Sequence, residues 1–353
     1  MEGTMSGNPK LIRDRAAFSL VELLTVVFII SLLIGILVPS LSAARTAAKK
    51  ATTRKTLQST GTGLEMFRND TGAEFAQTNG YPPSFAHPPI NEAGFDAHDG
   101  QFPFLDGYPT VSGAHWLPAM LIGLDSQGYI KRSAVPTAIK TQPDKWYDPD
   151  ADSGKPITER APRYIDAGNT PMLITEKLTG RENAALLPSW GPRGGPEWKL
   201  PVIVDGFDYP ILYYVANKHG RPTNMVSDEH NAKNDYSGGA QEEGVPYYFH
   251  EDNEMFTGNK DEAGWDFNGP HAIAKSGADL TADQLVEDDN RDTFARYIID
   301  RKLWRDIQHQ QSPNAEAPLR PANADTFLLI SPGPDGRYGT TDDVSNLPAF
   351  EEQ

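Results

Sequence analysis

The chain has 353 residues and a net charge of −16 at pH 7, from 48 acidic and 32 basic side chains. Such an acidic chain lacks the basic surface that nucleic-acid binding requires, so no nucleic-acid partner is predicted. The absence of cysteine excludes disulfides, thiolate metal sites, a cysteine nucleophile and lipid attachment at an N-terminal cysteine. The 31 glycines and 29 prolines predict a domain rich in loops and strands.

An almost continuous apolar run occupies residues 18–38, and its one charged residue is Glu22. A helix of this length is about 30 Å long, which matches the hydrocarbon core of a bilayer. A secretory signal peptide has a shorter apolar core, so cleavage near Ser42-Ala43-Ala44 is the less favoured alternative. A charged carboxylate inside a membrane costs roughly 2.5–3.5 kcal/mol. Glu22 therefore either lies near the membrane edge, where it snorkels or is protonated, or has a partner, and these explanations stay open.

The residues around Glu22 resemble the prepilin signal of type IV pilins and type II secretion pseudopilins. A basic leader ends at Ala17, where the family usually has glycine, and Phe18 precedes Glu22 by four residues. The resemblance implies that a prepilin peptidase of the inner membrane cuts before Phe18 and methylates the new amine. It also implies that Glu22 pairs with this amine in a neighbouring subunit during filament assembly. Such pairing would remove two buried-charge penalties together.

A long helix is predicted from residue 18 to residue 69, broken or bent at Pro39, where family helices often carry a kinking proline. Residues 1–17 are then a leader, 18–39 a membrane span, 40–69 an amphipathic helix, and 70–353 a globular head. The helix should pack its second half against the head through one apolar stripe. The residues of this stripe are Leu41, Ala44, Ala48, Leu57, Leu64 and Phe67.

A cluster of five basic residues follows the apolar run: Arg45, Lys49, Lys50, Arg54 and Lys55. The positive-inside rule alone would place this end of the span in the cytoplasm. The resemblance to a prepilin signal instead places the N-terminus inside, and we adopt that orientation. Three explanations of the cluster stay open: acidic neighbours in a filament, lipid head groups, and a solvated helix face.

Three short strands are predicted in the head, at residues 201–204, 211–215 and 326–330, because each is β-branched or aromatic and bounded by turn residues. Residues 205–208 should form the turn between the first two strands. This region also resembles, with clear departures, a strand region of the pseudopilins. The fold class predicted is α+β, in which the long helix packs on a small antiparallel sheet with long loops and insertions.

The other helices predicted in the head are short. One lies around residues 116–124, and a second is amphipathic and extends from residue 294 to residue 307. Residues 281–284 match the capping box that begins a helix. The polar, glycine-rich segment 217–269 is predicted to be an insertion.

An acidic, glycine-rich loop follows the last predicted strand. Glycines and carboxylates in a flexible loop supply the hard oxygen ligands that calcium prefers, although an acidic surface turn without metal is the alternative. The loop resembles the C-terminal calcium loop of the major pseudopilin of type II secretion. The resemblance implies that Asp335 binds calcium with Asp342, Asp343 or both. Backbone oxygens near Pro332 and Ser345 would complete the shell.

A second acidic segment places Asp148, Asp150, Asp152 and Glu159 at the first, third, fifth and twelfth positions of an EF-hand-like loop. Its sixth position is Ser153, where an EF-hand has glycine, and prolines crowd both sides. A solvated acidic linker is the favoured interpretation, and the four acids are a weak second metal candidate.

No catalytic motif is present: the chain lacks H-E-x-x-H, a P-loop, G-x-S-x-G and a dinucleotide-binding pattern. The chain is therefore not expected to be an enzyme, and Glu229-His230 and His250-Glu251 are interpreted as surface or packing residues. The function predicted is a structural subunit of a pseudopilus or pilus-like filament. Because the head is large, a minor or specialised subunit is favoured.

The alternative function is a membrane-anchored binding protein that uses the prepilin signal for display and never assembles. An anchored enzyme is a less favoured alternative. The partners implied by the resemblance are other pilin or pseudopilin subunits, prepilin peptidase, an inner-membrane assembly platform and membrane lipid. The location implied is the inner membrane, crossed once, with the C-terminal domain outside the cytoplasm, or a periplasm-spanning or surface filament.

Overall fold

The computed structural model describes about half of the chain. The described residues are 19–84, 112–123, 127–131, 134, 160–174, 189–190, 198–199, 201–220, 226–227, 246–258, 271–277, 280, 284–285, 293–300 and 320–347. Ala17 and Phe18, the acids from Asp148 to Glu159, and most of the capping-box segment 281–284 lie outside them. The chain divides into two units, Met1–Ala48 and Lys49–Gln353.

The longest element is helix α1, Leu20–Thr71. The helix is continuous through Pro39, so the predicted break is wrong, while the predicted bend stays a prediction. Proline removes one backbone donor and crowds the preceding turn, but a single missing bond does not end a helix of this length. Leu41, Ala44 and Ala48 are exposed, so the predicted apolar stripe is wrong over its first half.

The second half of α1 packs in the head, as predicted. Leu57, Leu64 and Phe67 are buried, together with a row of threonines on the same face. The buried hydroxyls of Thr53 and Thr71 donate to the carbonyls of Lys49 and Phe67, at 3.0 and 2.8 Å. A helix face rich in threonine can therefore be buried here without leaving those hydroxyls unsatisfied.

The end of α1 continues into a 3-10 turn, Gly72–Thr78, and a short helix α2 covers Gly113–Leu121. This helix confirms the one predicted around residues 116–124, with both boundaries three residues earlier. Gly63 lets α1 come close to the segment around Ile165, since a Cβ at residue 63 would meet the Ile165 side chain at 2.6 Å.

Nine short strands follow in chain order among the described residues. They are β1 (Met172–Ile174), β2 (Ser189–Trp190), β3 (Trp198–Lys199), β4 (Pro201–Ile203), β5 (Leu212–Val215), β6 (Val226–Ser227), β7 (Tyr248–Phe249), β8 (Phe327–Ser331) and β9 (Val344–Ser345). Strands β4, β5 and β8 confirm the three predicted from the sequence.

The central sheet is antiparallel, in the order β5-β8-β9. Strand β5 pairs with β8 from Leu212 opposite Ile330 to Val215 opposite Phe327. Strand β4 pairs antiparallel with β1, and a bridge between Val204 and Pro210 closes the predicted turn between β4 and β5. Strands β2 and β3 form an antiparallel pair, and β6 and β7 a parallel pair.

Both faces of the central sheet are covered. Alternate side chains of a strand point to opposite faces. Tyr213 and Leu329 accordingly lie in the core that contains Leu64 and Phe67 of α1. Tyr214 and Leu328 lie in the second core, on the other face. The described part of the head is therefore α+β, with an antiparallel sheet between two apolar layers.

Two small helices complete the described elements: α3, Glu254–Thr257, which follows a 3-10 turn at His250–Asn253, and α4, Phe294–Ile298. The helix predicted to extend from residue 294 to residue 307 is wrong in length. Ile299 is extended, with φ −55° and ψ 134°, and pairs with Pro321. A strand-like pairing therefore replaces the second turn of that helix, and residues 301–307 lie outside the described part.

Candidate functional site

Glu22 caps the beginning of its own helix. Its Oε2 accepts a hydrogen bond from the backbone N–H of Ser19 at 2.9 Å. In return, Ser19 Oγ accepts from the N–H of Val21 at 3.3 Å, and the Ser19 carbonyl accepts from Leu23 N–H at 3.1 Å. These contacts make Ser19 the N-cap and Glu22 the third helical residue of a capping box. The role of Ser19 was missed from the sequence, although Ser-x-x-Glu before an apolar run is the signal for it.

The first half of α1 presents large apolar side chains on all sides. From Leu20 to Leu41 every leucine, isoleucine, valine and phenylalanine is exposed, with fractions from 48% at Leu41 to 77% at Leu20. In the described part of the chain, α1 is the one helix long and apolar enough to cross a membrane. Pro39 lies near the C-terminal end of this exposed segment.

The acidic loop connects β8 to β9 through a 3-10 turn at Gly333–Asp335. The three predicted ligands converge on the hydroxyl of Thr340. Thr340 Oγ1 lies 3.1 Å from Asp335 Oδ2, 2.6 Å from Asp342 Oδ1 and 3.2 Å from Asp343 Oδ1. A hydroxyl has one proton and can donate to one of these oxygens at a time. The loop therefore concentrates more acceptors than this hydroxyl can satisfy.

Asp343 is the most enclosed of the three carboxylates. It accepts from Gly339 N–H and from the Tyr297 hydroxyl, each at 2.8 Å, and from Thr340 N–H at 3.3 Å. Burial raises the pKa of Asp343 to about 7, and its hydrogen bonds offset part of that effect. Tyr297 was not singled out as a site residue from the sequence, because it lies more than forty residues away along the chain.

Asp335 and Asp342 are held by the loop itself. Asp335 Oδ1 accepts from Arg337 N–H at 2.8 Å, and Asp342 Oδ2 accepts from Asp335 N–H at 3.4 Å. Gly333 has φ +66°, and a Cβ there would collide with the Asp342 carbonyl, so glycine is required where the arms of the loop meet. The loop is thus closed by short-range contacts among the predicted ligands.

The donor atoms of this loop fit calcium in type, since all are oxygens. Their arrangement is that of a loop closed on itself by hydrogen bonds. In the described residues, no group of three or more acidic, histidine or cysteine side chains is arranged to hold a metal ion. Pro332 and Ser345 are described at the two ends of the loop, and the weak second metal candidate lies outside the described residues.

The turn between β4 and β5 connects the acidic loop to α1. Asp205 is 1% exposed; its Oδ1 accepts from the N–H groups of Phe207 and Tyr209, at 2.7 and 2.9 Å, and its Oδ2 accepts from Ser331 Oγ at 2.7 Å. Burial raises the pKa of Asp205, against the lowering effect of these bonds. The N–H of Gly206 donates to the Thr53 hydroxyl at 3.0 Å.

This arrangement was not anticipated, because residues 205–208 were interpreted only as a turn. An Asp that starts a turn and accepts backbone hydrogen bonds two residues later is a recognisable signal. Its partner Ser331 could not be found from the sequence, since it lies on a distant strand.

The buried histidines have structural partners. His115 Nδ1 accepts from Ser112 N–H at 3.1 Å and caps α2, and burial lowers the pKa of His115 to about 3. His250 Nε2 lies 2.9 Å from the carbonyl of Ile273. These contacts agree with the interpretation of His250 as a packing residue, while Glu229 and His230 lie outside the described residues.

Comparison of the chain with protein-family models, with curated proteins and with solved structures finds no match.

Proposed function

We propose that the chain is a structural subunit, minor or specialised, of a type II secretion or type IV pilus-like filament. It is made as a precursor, cut before Phe18 by a prepilin peptidase and methylated there. The observation that carries the proposal is one continuous helix, α1. Its first half is apolar and exposed and follows the N-cap Ser19, with Glu22 in the first turn, and its second half packs in a folded head.

The exposed half of α1 requires an apolar environment that the described chain does not supply. An exposed apolar surface of this extent is typical of membrane or protein contact. Lipid would cover it before assembly, and the equivalent helices of other subunits would cover it in a filament. Cleavage would make Phe18 the N-terminal residue, with a charged amine. Glu22 would be the acid that pairs with this amine of a neighbouring subunit.

Calcium binding by the C-terminal loop is part of this proposal. Asp335 and Asp342 would supply side-chain oxygens, Asp343 would join them when deprotonated, and carbonyls near Pro332 and Ser345 would complete the shell. Since these carboxylates now accept hydrogen bonds inside the loop, calcium would replace part of that internal bonding. The bound ion would add stability in proportion to its concentration over its dissociation constant.

The capping box supports a second candidate function. Glu22 has a hydrogen-bond partner in its own chain, Ser19, and does not need a neighbouring subunit to satisfy it. A membrane-anchored binding protein that uses the prepilin signal for display would keep this contact permanently. In that case the chain would be processed and remain single in the inner membrane.

The experiment that tests the proposal is N-terminal mass spectrometry of the mature protein extracted from membranes of a host with a prepilin peptidase. We expect a methylated N-terminus at Phe18, and the intact leader in a host without the peptidase. A start near Ala44, or an intact leader in both hosts, would refute the processing step. Recovery of the chain in sheared filaments then separates the filament subunit from the displayed binding protein.

A further inference from the structure

We propose that the five bases after the apolar half of α1 form a collar that binds the anionic head groups of the membrane crossed by that helix. These bases are Arg45, Lys49, Lys50, Arg54 and Lys55, and we call them the basic collar. The inference rests on the proposed membrane span.

The collar is a positively charged segment of an otherwise acidic protein. The chain has a net charge of −16, yet no acidic residue occurs between Leu23 and Leu64, a stretch that contains the whole collar. In the described part of the chain, ion pairs join Arg68 to Glu65 and Arg320 to Asp325, and none involves a collar residue. The first acid after the collar, Glu65, is already paired.

The collar bases lie on several sides of the helix. With about 3.6 residues per turn, Arg45 and Lys49 share one side, Lys50 and Arg54 share another, and Lys55 lies on a third. Lys49 Nζ lies 5.2 Å from the centre of the Phe207 ring, while Arg54 and Lys55 are exposed between the buried threonines. One flat protein surface would contact one side, whereas a layer of lipid head groups surrounds the helix.

The spacing from the apolar segment favours lipid. Leu41 is the last of the large exposed apolar residues in that segment. At a rise of about 1.5 Å per residue, Arg45 is about 6 Å beyond it, and Lys50 about 14 Å. The polar layer of a bilayer extends roughly 5–8 Å past the hydrocarbon on each side, so Arg45 lies within it and Lys50 within one Debye length of it.

Arg54 and Lys55 are about 20 Å beyond Leu41 along the helix. The attraction of a base to an anionic surface decreases over a Debye length, about 8 Å at physiological salt. The collar is therefore graded: its first members contribute most and its last members least. This gradient distinguishes lipid binding from contact with an acidic copy of the chain, which has no reason to follow distance from Leu41.

The test uses the full chain with Ala47→Cys, which provides a single labelling site because the natural chain has no cysteine. Ala47 is exposed. The labelled chain is reconstituted in vesicles of phosphatidylcholine and phosphatidylglycerol. A nitroxide in the upper acyl chain is carried either by the neutral lipid or by the anionic lipid. The ratio of the two quenching efficiencies measures the enrichment of anionic lipid at the collar.

Two variants of equal charge change provide the matched comparison, R45Q with K50Q and R54Q with K55Q. Each base near the surface contributes a factor of about five to attraction of anionic lipid. We expect an enrichment ratio above one that falls towards one in the first pair, falls less in the second, and decreases with added salt. Lys49 is left unchanged, since it also contacts Phe207.

A ratio of one in the unsubstituted chain, or equal losses in the two pairs, would overturn the collar while leaving the membrane span in place. An enrichment that changes with the density of protein in the vesicles would assign the bases to a neighbouring copy and also overturn it. Absence of quenching by either lipid would overturn the proposed span itself.

Discussion

Replacing Glu22 by glutamine separates the capping contact seen in the structure from the charge pairing that we propose for filament assembly. Glutamine keeps an oxygen that can accept from Ser19 N–H, so the capping box survives, whereas the negative charge is lost. Alanine removes both. The pair of variants therefore asks whether assembly needs the charge or only a well-formed helix end.

The free-energy costs of losing the cap and of losing the charge pair differ enough to distinguish the two roles. Loss of an N-terminal cap costs about 1 kcal/mol, or roughly a fivefold change in the population of the formed first turn. Leaving one member of a buried ion pair without its partner costs about 3–5 kcal/mol, or roughly 150- to 5,000-fold in each contact between subunits. If Glu22 pairs with a neighbouring amine, E22Q and E22A should both fail to enter filaments.

The assay compares the amount of mature chain in sheared filaments with the amount in the membrane, at equal expression. Ser19→Ala is the matched control, because it removes the Ser19 hydroxyl from the cap and leaves the Glu22 charge. We expect S19A to assemble within a few-fold of the unsubstituted chain. Normal assembly of E22Q beside impaired assembly of E22A and S19A would refute charge pairing and leave capping as the role of Glu22.

The remaining predictions concern the head. Asp205→Ala should lower the free energy of unfolding by about 3 kcal/mol in urea titrations, because one buried and two partly buried donors lose their acceptor. Asp208→Asn on the exposed turn should change it by less than about 0.5 kcal/mol. His115 has a folded-state pKa below its unfolded value of 6.5, so its contribution to the free energy of unfolding is complete above pH 6.5 and decreases as the pH falls towards 3. The loss should be about 2–3 kcal/mol at pH 4.5. The variant H115Q should flatten this pH dependence. Calcium at 100 times its dissociation constant should stabilise the head by about 2.7 kcal/mol, and Asp335→Ala and Asp342→Ala should abolish the rise in Tm that calcium gives over chelator. An unchanged Tm in the natural chain would refute the calcium site.

The three main strands could be predicted because their sequence signal and their environment agree. Strands β4, β5 and β8 are short apolar runs; β5 and β8 are buried along their whole length, and β4 is buried at Val202 and Ile203. The turn at residues 205–208 was equally local, since glycine and two aspartates join two such runs. Partners that are distant along the chain could not be identified from a single sequence. For this reason Ser331 was missed as the partner of Asp205, and Tyr297 as the partner of Asp343.

Two wrong predictions have one cause. Helical periodicity indicated a buried stripe from Leu41 onward and an amphipathic helix through Ile307. Periodicity shows which residues share a face, but it does not show whether another element covers that face or where the chain leaves the helix. Burial of α1 begins later, at Thr53, and α4 ends where Ile299 pairs with Pro321.

The acidic loop gives a mixed result for a physical reason. Its carboxylates could be singled out from composition and spacing, and the structure brings Asp335, Asp342 and Asp343 to one hydroxyl. Whether such a group binds a cation depends on the competing hydrogen bonds of the loop, which composition does not reveal. The N–H and O–H groups that donate to Asp343 are these competitors, and a calcium ion would have to bind strongly enough to displace them.

The most apolar residues of α1 are exposed, whereas a helix of a protein that folds alone buries its most apolar residues. Its first half carries leucine, isoleucine, valine and phenylalanine on every side and exposes them. Its second half is buried on a face built largely from threonine and glycine, whose small side chains allow close approach to the head. A helix that contributed only to the core of the head would bury its most apolar residues first. The apolar half of α1 is therefore suited to an environment outside this chain, and the proposed role would supply that environment twice, first in a membrane and then in a filament.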